Sequence, residues 1–217
     1  MAFGRRLAWF LNGEGFSLGA YPALYLLFTP SLEPGTIQVT DYGGDWWQRY
    51  THVGVPPDFP NVDDAQECVM SGTVAALLAI RPDQSDLIRN ADQLVRQRGE
   101  ELRFLLKRKE TKRQIVEVSF SIGVWPSYPS QLFVSRTDTL TGTYSEAEPI
   151  SLRFYDEAFD LAGGIKVTDA GTKVEPNASI GARIISAGHG GPLAIDSAAF
   201  AVRRYRPAMS QMVRRRG

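Results

Sequence analysis

Between residues 63 and 113 an aspartate pair, a run of small and apolar residues, a proline break and a long charged stretch follow one another. This succession constrains the fold more than any other part of the chain. Asp64 with Glu67 three residues later has the reciprocal capping pattern of a helix start. Ala65, Cys68, Val69, Gly72, Ala76 and Ala79 then recur at helical spacing, and Met70, Val74, Leu77, Leu78 and Ile80 widen the apolar arc. An arc of that width predicts burial on more than one side. Gly72, Ala75, Ala76 and Ala79 would let another backbone approach closely. Arg81-Pro82-Asp83 ends the helix, because proline disfavours the helical conformation of the residue before it. A second helix is expected from Asp83 or Ser85 to Arg113, with Leu87, Ile88, Ala91, Leu94, Val95, Leu102, Leu105 and Leu106 on one stripe that breaks at Arg98 and Gly99. About 27 residues at ~1.5 Å each would make a rod of roughly 40 Å. Leu94, Leu102 and Leu105 are expected to be buried along it. Lys107, Arg108, Lys109, Lys112 and Arg113 would suit the negative end of its dipole, or simply face water.

After Arg113 the period changes. Val116, Val118, Phe120, Ile122 and Val124 alternate with polar residues, as in a half-buried strand. Further strands are expected at 131–136, 150–155, 165–168, 182–187 and 193–205, divided by Gly, Asp, Asn and Pro turn signals. The expected fold class is therefore α+β: a long helical hairpin-like pair followed by an antiparallel β-sandwich or barrel-like region. Residues 1–62 form a loop-rich aromatic segment before it. Within them 6–11 reads as one helical turn, 21–28 as a strand or docked loop and 36–40 as a strand. Trp46 and Trp47, near Tyr42 and Tyr50, suit either a contact surface or a small satellite core. The expected divisions are 1–62, 63–113, 114–205 and a basic tail at 206–217.

The chain has 24 basic and 24 acidic residues, but they are not evenly spread. Residues 114–200 carry five basic and ten acidic groups, whereas the last seventeen residues carry six arginines and no acid. Arg203, Arg204, Arg206, Arg214, Arg215 and Arg216, together with Trp46 and Trp47, are the candidate partner-binding residues. The tail is expected to stay mobile until it docks on an acidic surface, so deleting 207–217 should leave the thermal midpoint almost unchanged. The single cysteine, Cys68, excludes an intramolecular disulfide and reads as a buried thiol. The apolar run at 20–28 is too short for a membrane span and contains Pro22, so no membrane or targeting segment is expected.

Motifs of chemistry are sparse. His52 and His189 fall in expected loops, and Ala187-Gly188-His189-Gly190-Gly191 superficially resembles an oxyanion loop without the G-x-S-x-G elbow such a loop serves. No phosphate-binding glycine pattern occurs, and no metal-ligand spacing. Asp156, Glu157 and Asp160 read as a solvated loop face. The sequence therefore predicts no cofactor, no metal and no catalytic residues. Three classes stay open: a structural adaptor, a carbohydrate-type ligand-binding β-module using Trp46, Trp47, Trp125 or Tyr128, and an enzyme built around His189.

The helical segment resembles the head–tail connector proteins of tailed bacteriophages, of the adaptor or tail-tubular-A type. The resemblance lies in Asp58-Phe59-Pro60, in Asp64-Ala65-Gln66-Glu67-Cys68, in Arg81-Pro82-Asp83 and in the charged stretch from Leu87 to Arg113. It covers about a quarter of the chain. It implies a virion protein in a ring of identical subunits, a dodecamer, between portal and tail proteins, with possible contact to DNA passing through.

Overall fold

Gly99 decides where the second helix stops. Its backbone takes φ +52°, in the left-handed region that glycine enters without penalty and that commonly terminates helices. Beyond it Leu102, Phe104 and Leu106 are buried at every second position, a strand period. The expected 40 Å rod does not exist. The computed structural model, which describes residues 2–40, 48–124 and 129–213, has five α-helices and thirteen strands in three sheets among those residues. It is a sheet-rich α+β fold, and this corrects the helical hairpin expected at residues 63–113.

In chain order the elements begin with α1 (Ala2–Gly13), β1 (Ala23–Thr29), β2 (Ile37–Val39), β3 (Gln48–Gly54), α2 (Ala65–Ile80) and α3 (Ser85–Arg98). There follow β4 (Arg103–Glu110), β5 (Gln114–Ser121), β6 (Ser130–Asp138), β7 (Tyr144–Glu146), β8 (Ile150–Leu152), α4 (Glu157–Leu161) and β9 (Gly164–Val167). The last are β10 (Gly171–Glu175), α5 (Ile180–Gly188), β11 (Leu193–Asp196), β12 (Ala201–Val202) and β13 (Met209–Met212). The chain divides into two compact units, one of residues 1–13 and 98–217, the other of residues 14–97.

The smaller unit is a three-stranded sheet, ordered β1-β3-β2, with α2 against one face. Val53 and Phe28 are register partners on β3 and β1 and so point the same way. A Cβ on Gly72 of α2 would lie 2.6 Å from Val53 Cγ1 and 3.0 Å from Phe28 Cε1. Only glycine lets the helix sit this close, so Gly72 makes room for side chains of a sheet rather than for a second helix backbone. Asp64 is the N-cap of α2, but its side chain makes no capping hydrogen bond. Glu67 instead accepts from Ser71 Oγ (2.5 Å) and Arg96 Nη1 (2.7 Å), tying α2 to α3. These bonds hold the Glu67 carboxyl below its usual range, Arg96 first and then Ser71. Cys68 is only half-buried, and what burial it has, followed by Asp64, pushes its thiol upward.

The larger unit is built on a seven-stranded sheet of order β12-β7-β6-β5-β4-β13, with β8 paired to β6. Only β13 runs parallel to its neighbour within it. Phe104, Phe120 and Leu132 are cross-strand partners that share one face, all fully buried. Trp9 of α1 meets Phe120 edge-on at 6.2 Å and Phe159 at 4.8 Å, closing an aromatic core. The single helical turn expected at 6–11 is thus a twelve-residue helix. Its Arg6 guanidinium is buried and donates twice to the Ile122 carbonyl, at 2.9 and 2.6 Å. A second sheet of this unit, β11-β10-β9, is accompanied by α4 and α5. Residues 182–187, expected as a strand, are helical in α5: the Ser179 hydroxyl accepts from Ala182 N–H at 3.0 Å and caps it.

Candidate docking site

Two short strands position the site. β12 pairs with β7 at one edge of the seven-stranded sheet, and β13 pairs with β4 at the other. Residues 203–208 must therefore cross β7, β6, β5 and β4. Backbone bonds fix both ends of this strap: Arg203 N–H donates to Tyr144 O (3.0 Å), and Arg103 N–H donates to Ala208 O (3.2 Å). Beyond β13, Val213 N–H donates to Leu105 O (2.8 Å), with Val213 buried. Of the tail at 206–217, expected to be mobile until bound, residues 209–213 are instead integrated into the sheet.

The face under the strap is polar and buried. On β5, Glu117, Ser119 and Ser121 alternate with Val116, Val118 and Phe120, and all six are buried. Glu117 is only 1% exposed. A carboxylate so placed must be paired, since its desolvation is otherwise costly. Arg206 Nη2 donates to its two oxygens at 2.6 and 2.5 Å, and Arg108 Nη1 stands 3.6 Å away. A second buried carboxylate, Glu146 on β7, is gripped by both terminal nitrogens of Arg103 and accepts from Tyr144 Oη at 2.8 Å. The Arg103 guanidinium also lies 3.6 Å from the Phe133 ring centre. Burial, before any other cause, pushes the Tyr144 phenol up to about 12.

Arg203 and Arg204 behave differently from Arg206. Both are exposed, and neither forms an ion pair with any described residue. With Tyr205 and Arg206 they line a surface groove of about 480 Å³, whose opposite wall is Thr137, Gly142, Thr143 and Tyr144 of the β6–β7 hairpin. The hairpin turn is held by Asp138, which accepts from Leu140 N–H, Thr141 N–H and Thr141 Oγ1 at 2.9, 2.8 and 3.1 Å. Those bonds, that from Thr141 N–H first, hold the Asp138 carboxyl below its usual range. Among the described residues no carboxylate lines the groove. Chemically it offers guanidinium forks, hydroxyls and one exposed aromatic ring, a set suited to anionic groups.

Three of the six arginines singled out from the sequence thus lie together on the strap. Arg214, Arg215, Arg216, Trp46, Trp47, Trp125 and Tyr128 lie outside the described residues. Sequence reasoning missed the groove's other wall, although Asp138 with Thr141 and Gly142 carried a turn signal. His52 is in β3 rather than a loop. His189 caps the C-terminus of α5, and its Nε2 stands 3.5 Å from Glu157 Oε2 at the start of α4. Ser186 Oγ, three residues earlier on the helix, is buried without a hydrogen-bond partner among the described residues. Among the described residues no group of His, Cys, Asp and Glu could hold a metal, and no helix is long and apolar enough to cross a membrane. Comparison with protein-family models, with curated proteins and with solved structures returns no match for this chain.

Proposed function

We propose that this protein is a non-enzymatic structural protein that docks on an acidic protein surface through the strap at residues 203–206. One observation carries the proposal. The strap is anchored at both ends and pinned by Arg206, yet among the described residues its Arg203 and Arg204 have no ion-pair partner and flank a groove without carboxylates. Anchoring the backbone that carries two guanidinia unpaired among the described residues lowers the entropy lost when a carboxylate-bearing partner binds. Guanidinium forks also match carboxylates through paired hydrogen bonds.

Within this class the finer proposal is a virion adaptor, a ring of identical subunits between portal and tail. It keeps the charge asymmetry and the Asp64–Cys68 helix in its support. It loses the long charged helix, because residues 103–110 are a strand. The docking role is tested by fluorescence anisotropy with a labelled polyglutamate peptide at low salt. Wild type should bind it, and Arg203→Glu/Arg204→Glu should weaken binding by about tenfold or more. Equal affinity in the two proteins would remove the docking role from the strap. Electron microscopy of the purified protein tests the finer proposal, with rings as the expected result and isolated monomers as the opposing one.

A further inference from the structure

The two units carry opposite charge. The larger unit holds 20 Lys and Arg against 13 Asp and Glu, a net of +7, and the smaller holds 4 against 11, a net of −7. The neutral total conceals this division, and the sequence blocks 1–62, 63–113 and 114–200 cut across it. The negative unit shows its charge to solvent: Asp58, Asp63, Asp64 and Asp86 are exposed and in no ion pair with any described residue. Its other helix carboxylates, Glu67, Asp83 and Asp92, are held by Arg96 and Arg81. The positive unit presents the strap, whose Arg203 and Arg204 form no ion pair with any described residue.

We infer that the strap's occupant is a second copy of this chain: the groove beside Arg203 and Arg204 of one molecule receives the exposed carboxylates of the negative unit of the next. The inference rests on the docking role proposed above and names its partner. Charge complementarity is the argument, since each copy carries both a net-positive unit that bears the strap and a unit of equal and opposite net charge. Such a contact joins two different surfaces, so each copy keeps one free surface of each kind and association continues, into a ring if the rotation closes and a filament if it does not. Two exposed, oppositely charged surfaces attract most strongly where screening is weakest.

The test is sedimentation of the full chain across a salt series, from about 0.02 M to about 0.5 M. Wild type should form assemblies larger than a monomer at low salt that dissociate as salt rises. Arg203→Glu/Arg204→Glu and Asp63→Lys/Asp64→Lys should each abolish assembly while keeping the wild-type circular dichroism spectrum. All four positions are exposed, and the milder pairs Arg203→Gln/Arg204→Gln and Asp63→Asn/Asp64→Asn should weaken assembly in the same direction. Mixing the two charge-reversed variants should restore association, because the reversed strap then faces the reversed unit. A wild type that stays monomeric at low salt overturns the self-docking inference. If that monomer still binds polyglutamate through the strap, the docking role stands and only the partner is wrong. If it binds neither polyglutamate nor itself, the docking role fails as well. Binding of labelled oligothymidine more tightly than polyglutamate overturns both in favour of a nucleic-acid partner.

Discussion

Glu117 shows how a single side chain can hold a chain crossing in place. It is one of the few fully buried charges, on the central strand β5, and Arg206 reaches it from the strap above. Glu117→Gln keeps the shape and removes the charge, leaving two guanidinia around a neutral amide. A loss of about 1–3 kcal/mol in urea unfolding is expected, at the lower end if water reaches the half-exposed Arg206. A change within error of zero would mean the pair contributes nothing net. Tyr144 gives a pH signature. Its phenol is raised by burial to about 12, whereas a tyrosine in the unfolded chain titrates near ~10. Its contribution to stability is therefore complete below about pH 10 and is lost as pH rises from there through about 12. The stability difference between wild type and Tyr144→Phe should shrink across that window. A constant difference would place the phenol in contact with water.

Elements in this protein end where backbone geometry or a hidden partner requires it. The stripe of leucines at 94, 102 and 105 suits a helix by spacing alone, yet Gly99 divides it. Leu94 stays on α3 and is half-buried, Leu102 is wholly buried at the entrance to β4, and Leu105 is half-buried within that strand. Leu102→Ala should cost about 2–5 kcal/mol, as removal of a buried large side chain does. A loss under about 0.5 kcal/mol would put the site outside the core. The C-terminal end behaves as an element too. β13 occupies a sheet edge, Ser210 and Val213 are buried, and Gly13 of α1 is packed against Gln211. Deleting residues 207–217 should therefore lower the thermal midpoint by several degrees or more, contrary to the sequence expectation. An unchanged midpoint would show that β13 adds no stability to the sheet.

On the scale of the molecule, the two units differ in charge and in core. The larger encloses Phe104, Phe120, Trp9 and Phe159, and the smaller packs α2 on β1 and β3. Because the larger has its own core, it should fold when residues 14–97 are replaced by a flexible linker of about ten residues. The product should melt cooperatively and, with its +7 net charge, bind a cation exchanger at neutral pH. A non-cooperative melt would mean that the unit depends on the segment removed.

Local pattern alone determined α2, the strand at β5, the turn that follows β6 and the concentration of arginines near the C-terminus. In each case the signal lies within a few residues: a helical period with a proline stop, a strict alternation, a glycine or aspartate turn. The end of α3 was legible only in part, because Gly99 and the alternation of Leu102, Phe104 and Leu106 compete with a leucine stripe of helical spacing. Tertiary structure decided the rest. Ile180, Ile184 and Ile185 favour a strand by propensity, and the Ser179 cap with burial of Ala182 and Ser186 makes α5 helical. The arginines could be counted in the sequence, but which of them are spent inside the fold could not. Arg206 meets a carboxylate 89 positions away and Arg103 one 43 away, while Arg203 and Arg204 are left facing the groove. The charge split between units was hidden for the same reason. Residues 1–13 join residues 98–217 in one body, and pairing across such separations depends on the sheet order, which no local pattern encodes.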